Sequence, residues 1–462
     1  MEQTGVTPLQ SLFIVIAAWV GFPVLQTFVM LILPLGLKLF GRVWVREKIN
    51  TTVFNIFYLP ILTACLYVIV EWAQSWFLSG LTWAKLSLTQ YTNLFFIQSL
   101  SLFGTYFVSF IIIFINSAIA LYILNKLNKS ELIIPVSKNN LLILCVILLY
   151  FANSYFGYFR IEYYDYIDKP SETQKINAQI VQGNVSSYEK WADDAITVSL
   201  NKYKSLSEKY KDENTNITVW PETAIPTNID YGSSLYSNIC EFAEKNNLTV
   251  FTGAFYDSGD SEYNAIMAFD KNYDFIQPYC KRHLVPFGEY LPMENVLKSI
   301  FPFVANISLF DSLLTPGENS NIMSVNGINY GGLVCFDSIF PELARKSVND
   351  GADILIITTN DSWFRDSPAV YQHNAQAVLR AVENNRYVVR SANTGISSFI
   401  SPTGDIIKQS DALQTEVLSA EVGVVKDKTV YTVFGDFMLY LAWIFIVICI
   451  IWLIRIRINK KI

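Results

Sequence analysis

Charge is what this sequence has least of. Only 16% of its 462 residues are Asp, Glu, Lys or Arg, while 52% are hydrophobic and 15% aromatic. A soluble globular chain carries about 25% charged residues. The shortfall lies in the first third and the last thirty residues, and the middle has ordinary charge density. That distribution predicts membrane helices on both sides of a soluble domain of roughly 250 residues, enough for a core of its own. Histidine is nearly missing, with only His283 and His373. Five of the six cysteines are scattered: Cys65, Cys145 and Cys449 in apolar runs, Cys240 and Cys280 isolated. With no CxxC pair and no Cys/His cluster, a structural zinc motif is excluded and a disulfide framework unsupported, so no metal is expected. A net charge of −6 offers nothing to nucleic acid. The chain also lacks a Walker-type glycine loop, and no cofactor is expected.

Long apolar runs are what it has. Crossing a bilayer of about 30 Å takes roughly 20 residues, and five runs approach that length: Ser11–Leu37, Val53–Leu78, Leu94–Leu124, Leu141–Tyr158 and Leu439–Ile456. The fourth, no longer than the fifth, ends in the aromatic-rich "GYFRIEYYDYIDKP", suited to a headgroup belt. The first is too long for a signal peptide and has no basic leader. Basic residues then set the orientation. Lys38, Arg42, Arg46 and Lys48 lie in the first loop, Lys126, Lys129 and Lys138 in the third, and Arg455, Arg457, Lys460 and Lys461 in the tail. The N-terminus carries only Glu2 and the second loop only Lys85. By the positive-inside rule, all three basic clusters are cytoplasmic and the middle domain is outside. The expected organisation is residues 1–160 as about four spans, 175–430 as an extracytoplasmic catalytic domain, and 434–462 as a final span with a basic tail.

Within the middle domain strand and helix patterns alternate. "NAQIVQGNV", "NITVWPE", "LTVFTGAFY", "YNAIMAFD", "GINYGGLVCF", "ADILIITTND" and "RYVVRSA" read as strands. Asp193–Asp212, Ser233–Asn247, "PELARKSVNDG" and Ala369–Asn385 read as helices. The pattern predicts a layered α/β domain with buried sheets. Reactive groups in such folds collect where strands end. Three residues stand there: Glu222 in "WPETAIP", Lys281 in "YCKRHLVPFGEYLP" and Cys335 in "YGGLVCFDSIFPELA". Each has a plainer reading: a helix-start carboxylate, a solvated lysine, a small buried thiol. Paired prolines and aromatics beside the charges favour a shaped, partly dry pocket instead.

Glu, Lys and Cys in that order, within "WPET", "KRHLVPFGE" and "VCFD", resemble the nitrilase (carbon-nitrogen hydrolase) superfamily. With spans on both sides, the chain resembles the apolipoprotein N-acyltransferase family within it. "QGNV" with Lys190–Trp191, "NDSWF", "YQHNAQAVLRAVENNR", "RSANTGISS" and "EWAQSWFLSGLTW", with Glu71, Gly80 and Trp83, look like that family too. The resemblance implies a polytopic helical membrane domain plus an α-β-β-α sandwich. It also implies a multi-pass enzyme of the bacterial inner membrane with its catalytic domain on the periplasmic side. The activity implied is transfer of an acyl group from a phospholipid to the amino group of a lipoprotein's diacylglyceryl cysteine, through a Cys335 thioester. Glu222 would be the base, and Lys281 would lower the thiol pKa and hold the oxyanion. Glu289 would keep Lys281 charged and oriented, with Asp337, Phe336, Trp191, Asn264 and Trp363 in support. Partners would be the phospholipid, the apolipoprotein and the bilayer, for a protein acting as a monomer.

Two features depart from the family pattern. The family usually has eight spans, so five imply a truncated or misassigned start, or a lineage variant. Family members usually read Cys-Tyr-Glu where this chain reads Cys335-Phe336-Asp337, which alters the lining of the acyl pocket. The apolar stretch Leu291–Phe310 reads either as core or as an arm that dips into the membrane interface and gates acyl-chain entry. Two other functions stay open: a membrane-tethered amidase hydrolysing small amides, and a catalytically weakened homologue that binds lipoproteins.

Overall fold

The computed structural model describes residues 12, 16, 20–41, 53–77, 80, 82–127, 136–167, 174–190, 192–286, 288–291, 294–300 and 314–459. The chain divides into two units, one of Met1–Phe159, Asn306–Ser308 and Asp436–Ile462, the other of Arg160–Ala305 and Leu309–Gly435.

In the first unit five helices are long and apolar enough to cross a membrane: Pro23–Phe40, Ile56–Trp76, Thr105–Lys126, Asn139–Tyr164 and Phe437–Arg455. Leu62, Val68, Tyr106, Leu439, Ala442 and Ile446 share one buried cluster, and Ile56, Ala64, Phe114, Ala118, Leu142 and Val146 another. Trp72 and Trp443 meet edge to face at 5.6 Å. Two expectations need correction. The apolar run Leu94–Leu124 is not one span: two short helices, Leu94–Ile97 and Leu100–Phe103, precede the long one. The break is Gly104, at φ 72° and ψ −176°, a conformation closed to residues with a Cβ. The fourth run belongs to the longest of the five helices, because the helix continues through the aromatic stretch to Ile167. Most of Ser11–Val20 and the basic residues Arg42, Arg46, Lys48, Lys129, Lys460 and Lys461 lie outside the described residues.

The second unit is a pair of six-stranded sheets. Its strands are β1 (Lys175–Gln182), β2 (Thr215–Val219), β3 (Thr249–Ser258), β4 (Ser261–Phe269), β5 (Tyr279–Cys280), β6 (Ile322–Val325), β7 (Ile328–Val334), β8 (Ile354–Thr359), β9 (Val388–Ala392), β10 (Ser398–Ile400), β11 (Ile406–Gln409) and β12 (Glu416–Gly423). One sheet runs β12-β1-β2-β3-β4-β5 and the other β11-β10-β9-β8-β7-β6. Each has three parallel strands, β1-β2-β3 or β7-β8-β9, with antiparallel pairs on both flanks. β8 is buried along its whole length, as Val/Ile-rich parallel strands are.

The sheets face one another across a core that includes Ile180, Val219, Phe251, Ile266, Tyr330, Val334, Ile356, Val389 and Phe399. Phe251 of the first sheet and Tyr330 of the second meet there with ring centroids 4.8 Å apart. A second cluster packs Tyr236, Ile239 and Phe242 of the helix Ser234–Asn246 with Trp220 on the outer face of the first sheet. The helices Pro341–Asn349 and Pro368–Asn384 cover the second. This is the expected α-β-β-α sandwich. In a parallel sheet all C-terminal ends point one way, so the loops after β2, β7 and β8 open on common ground.

Candidate active site

Glu222 lies three residues beyond β2, in a turn pressed against β3. A Cβ on Gly253 would lie 2.5 Å from both Glu222 Cα and Thr223 N, backbone that cannot step aside, so only glycine lets the strand and the turn approach this closely. Pro221 O receives the Gly253 amide at 3.1 Å. The Glu222 carboxylate is buried and shared among three donors. Asn264 Nδ2 donates to Oε1 at 2.8 Å, Asn360 N donates to Oε2 at 2.6 Å, and Lys281 Nζ stands 3.5 Å from Oε1.

Lys281 directly follows β5 and is 1% exposed. Its amide donates to Asn264 O, its carbonyl accepts from Gly317 N, and its ammonium lies 2.8 Å from Glu289 Oε1. Burial alone would lower its pKa, but Glu289, Glu222 and Cys335 together raise it above the ordinary range. It is a fixed cation between two carboxylates. Glu289 is tied in turn by Val285 N at 2.8 Å and Asn264 Nδ2 at 3.1 Å, so Asn264 bridges both acids.

Cys335 directly follows β7 and opens the tight helical turn Cys335–Ile339 at φ 49°. A non-glycine residue in this left-handed region costs about 1–3 kcal/mol and persists only where its surroundings hold it. Asp337 is part of what holds it. Fully buried, its carboxylate accepts from Val334 N at 3.2 Å, His283 N at 2.8 Å and Tyr279 OH at 2.8 Å. It thus ties the Cys335 turn to the segment carrying Lys281. Burial pushes its carboxyl up, against Lys281 and Arg282. Phe336 packs against His283 and Phe340.

The thiol lies within electrostatic reach of both Glu222 and Lys281. Burial first, and then Glu222, raise its pKa; Lys281 works against them without prevailing. Lys281 thus lowers the thiol as expected, but burial and Glu222 outweigh it, so the net shift is upward.

The structure therefore brings Glu222, Lys281, Cys335, Glu289, Asn264 and Asp337 into one cluster, in which Cys335 and Glu289 are half-buried and the other four are buried. It does not bring Trp363, which is 84% exposed. Trp191 lies outside the described residues. So do residues 292–293 and 301–310 of the expected arm Leu291–Phe310, within which Glu294–Ile300 forms a helix.

Residue-by-residue reading missed several neighbours. Lys190 is buried and donates from Nζ to Glu222 O at 3.1 Å. Burial pushes its ammonium down to about 8, although Glu222 and Cys335 pull upward. Asp361, His373 and Arg390 form a buried chain behind the nucleophile. Lys190, Asp361 and His373 all sit in stretches that carry the family resemblance, so the signal was there without a role attached. Cys335, Asp361 and His373 each offer an atom within 4.8 Å of the others, the dimensions of a metal cluster. Both Asp361 oxygens are already engaged, one by Arg390, and a guanidinium inside the set opposes a second cation. These residues fit a hydrogen-bonded chain better than a metal centre.

Comparison with known proteins agrees with this architecture. Residues 178–426 match the carbon-nitrogen hydrolase family, and residues 5–118 match the apolipoprotein N-acyltransferase N-terminal domain. Proteins named apolipoprotein N-acyltransferase are similar over most of the chain. That of Geobacter metallireducens is 32% identical over 80% of this chain and 70% of its own length. That of Photobacterium profundum is 30% identical over 81% and 69%. Among solved structures, Saccharomyces cerevisiae Nit3, a member of branch 10 of the nitrilase superfamily, is 21% identical, with a TM-score of 0.42, over 54% of this chain and 90% of that one.

Proposed function

Because this chain belongs to the apolipoprotein N-acyltransferase family, we propose that it acylates the amino group of a lipoprotein's N-terminal diacylglyceryl cysteine, taking the acyl group from a phospholipid. The observation that carries the reading is a thiol held in a left-handed turn within electrostatic reach of a buried carboxylate and a buried ammonium that stand 3.5 Å apart.

The first half-reaction runs from ester to thioester. Glu222 takes the Cys335 proton as the sulfur attacks the ester carbonyl carbon, and the carbonyl π electrons move onto oxygen. Lys281 stabilises that oxyanion, a kind of contact worth about 10²–10³ in rate. The intermediate collapses, the ester C–O bond breaks, and the leaving lysophospholipid oxygen receives the proton from Glu222. In the second half the lipoprotein amine attacks the thioester carbonyl. Glu222 takes the amine proton, the C–S bond breaks, and the sulfur recovers a proton. Ester to thioester to amide ends downhill, so no nucleotide is consumed. Glu289 and Asn264 fix the Lys281 ammonium and the Glu222 carboxylate in place.

Residues 175–430 form the catalytic domain in this reading, and the flanking helices make the chain a multi-pass membrane protein. The catalytic domain faces the periplasm and the basic loops face the cytoplasm. Membrane anchorage suits substrates that are lipids, since pulling an acyl chain from the bilayer costs about 0.8 kcal/mol per methylene.

The test is intact-mass analysis of the full chain after incubation with a defined phospholipid, beside Cys335→Ala. A hydroxylamine-labile acyl adduct on the first and none on the second is the expected result, followed by transfer to a diacylglyceryl peptide. A folded protein that forms no adduct yet hydrolyses small soluble amides would overturn the reading in favour of an amidase.

A further inference from the structure

Glu222 receives its shortest hydrogen bond from across the seam between the two sheets. The carboxylate stands beyond β2 of the first sheet, and the Asn360 amide that donates to its Oε2 at 2.6 Å follows β8 of the second. Asn360 precedes the tight turn Asp361–Phe364, a place where an asparagine ordinarily folds its side-chain oxygen back onto the amides of the turn. Here it makes no such cap. Its Oδ1 instead accepts from Asn393 Nδ2 at 3.1 Å.

Asn393 directly follows β9 and is 1% exposed. Its amide donates to Thr359 O at 3.0 Å, and its carbonyl accepts from Asn184 N at 2.9 Å. Its side chain pairs with both polar groups of one residue beyond β1. Nδ2 donates to Val185 O at 2.8 Å, and Oδ1 accepts from Val185 N at 2.9 Å. Tyr203 OH reaches the same Oδ1 at 3.4 Å, past Gly183, where a Cβ would lie 2.5 Å from that hydroxyl. The amide can stand only this way round. Turned over, it would set oxygen against Val185 O and nitrogen against the Val185 N–H. Asn393 therefore ties the loops after β1, β8 and β9 together, first sheet to second, one residue removed from the Glu222 carboxylate.

We propose that Asn393 is a positioning residue for the base: by holding the Asn360 side chain it fixes the Asn360 peptide, whose N–H directs the Glu222 carboxylate toward the thiol. The acyl-transfer steps above leave this tie unused, and the proposal rests on Glu222 being the base for Cys335. An asparagine that gives up its own cap to meet a buried amide keeps its backbone N–H in one direction. That N–H ends on the group that must take the proton.

Asn393→Ala cuts the link from its buried end. Asn360→Ala cuts it from the half-buried end and keeps the backbone N–H. The readout is the burst of p-nitrophenolate released as p-nitrophenyl butyrate acylates Cys335, taken on the full chain in detergent with Cys335→Ala as blank. This leaving group needs no proton, so the burst reports removal of the thiol proton, and no phospholipid takes part. Each single variant is expected to slow the burst about tenfold, as a slightly misplaced catalytic group does. The double variant should be no slower than Asn393→Ala, because both changes cut one link. Added to Glu222→Gln, Asn393→Ala should alter the burst by less than about twofold, since no base is left to misplace. A loss that persists at full size in Glu222→Gln would overturn the proposal and leave Asn393 a structural tie alone. Asn360→Ala at the parent's rate would overturn it too. If Asn393→Ala does not fold, Asn360→Ala is read in the parent and in Glu222→Gln by the same criteria. A parent with no Cys335-dependent burst would lose the nucleophile and the proposal together. A burst without any phospholipid adduct would sink the acyl-transfer reading and leave the variants to decide the role of Asn393.

Discussion

Glu222 divides two oxygens among three donors, and that division makes it testable. Glu222→Gln keeps size and shape but cannot take a proton, and its amide nitrogen would face donors where an acceptor stood. Thioester formation from phospholipid should fall by about 10²–10⁴, the usual contribution of a positioned base, while the thermal melt still shows a folded protein. A variant within a few fold of the parent would remove Glu222 from the role. Lys190 makes a different prediction, about stability. Its ammonium is depressed to about 8 in the folded chain, against about 10.4 for an unperturbed lysine. Between those values the unfolded chain binds the extra proton, so the folding free energy attributable to Lys190 rises with pH across that window and is lost as pH falls below it. Lys190→Met carries no such dependence. Melting temperatures of the two proteins from pH 7 to pH 11 should converge toward the alkaline end, with the variant relatively favoured at pH 7. Parallel curves would show that the lysine is not depressed.

Among the elements, β3 decides where Glu222 sits. Gly253→Ala places a methyl 2.5 Å from Glu222 Cα and Thr223 N, and because both are backbone the turn must move. Overpacking of this kind costs typically 1–3 kcal/mol, and a displaced Glu222 loses its register with the thiol. A lower melting temperature together with an acylation rate reduced more than tenfold is expected, the rate measured well below the melt so that the losses are separable. Undiminished acylation would show that the turn can relocate without harm. The same element scale shows what the sequence disclosed. β2, β7 and β8 were legible as apolar runs ending in polar residues, and the residues at their ends mark the site. β5, two residues long, carried no periodic pattern, yet it presents Lys281. β6, β10, β11 and β12 complete the sheets by pairings that a local pattern does not encode; β12 lies beside β1 across more than two hundred residues. β11 is largely exposed and so shows no buried alternation. In the membrane unit the break at Gly104 was hidden inside an apolar run, because a backbone angle leaves hydropathy unchanged. The chain behind Cys335 was hidden for a related reason. Asp361, His373 and Arg390 come from a tight turn, a helix and a strand, and the fold brings them together where spacing along the chain gives no hint.

For the whole molecule, charge placement and chemistry must agree on one orientation. The basic loops predict cytoplasmic positions for residues near Lys38, Lys126 and Arg455, which forces residues 175–430 to the opposite side. The proposed reaction calls for the same side, the one on which the proposal places both the catalytic domain and the lipoprotein acceptor. The hairpin between β3 and β4 offers a site for a reporter: Gly259 has φ 63°, and a Cβ there would meet nothing within 4 Å. Insertions at such exposed tips are tolerated best. Alkaline phosphatase folds only where its disulfides form, outside the cytoplasm. Inserted after Gly259 it should be active in bacterial cells, and fused after Ile462 it should be inactive. The converse pattern would invert the orientation and place the catalytic domain away from the proposed acceptor, so the acyltransfer reading and the charge rule would fail together. Activity at both positions would instead mean that the last helix does not return the tail to the cytoplasm. The positive-inside assignment of Arg455, Lys460 and Lys461 would then be wrong while the catalytic side stood.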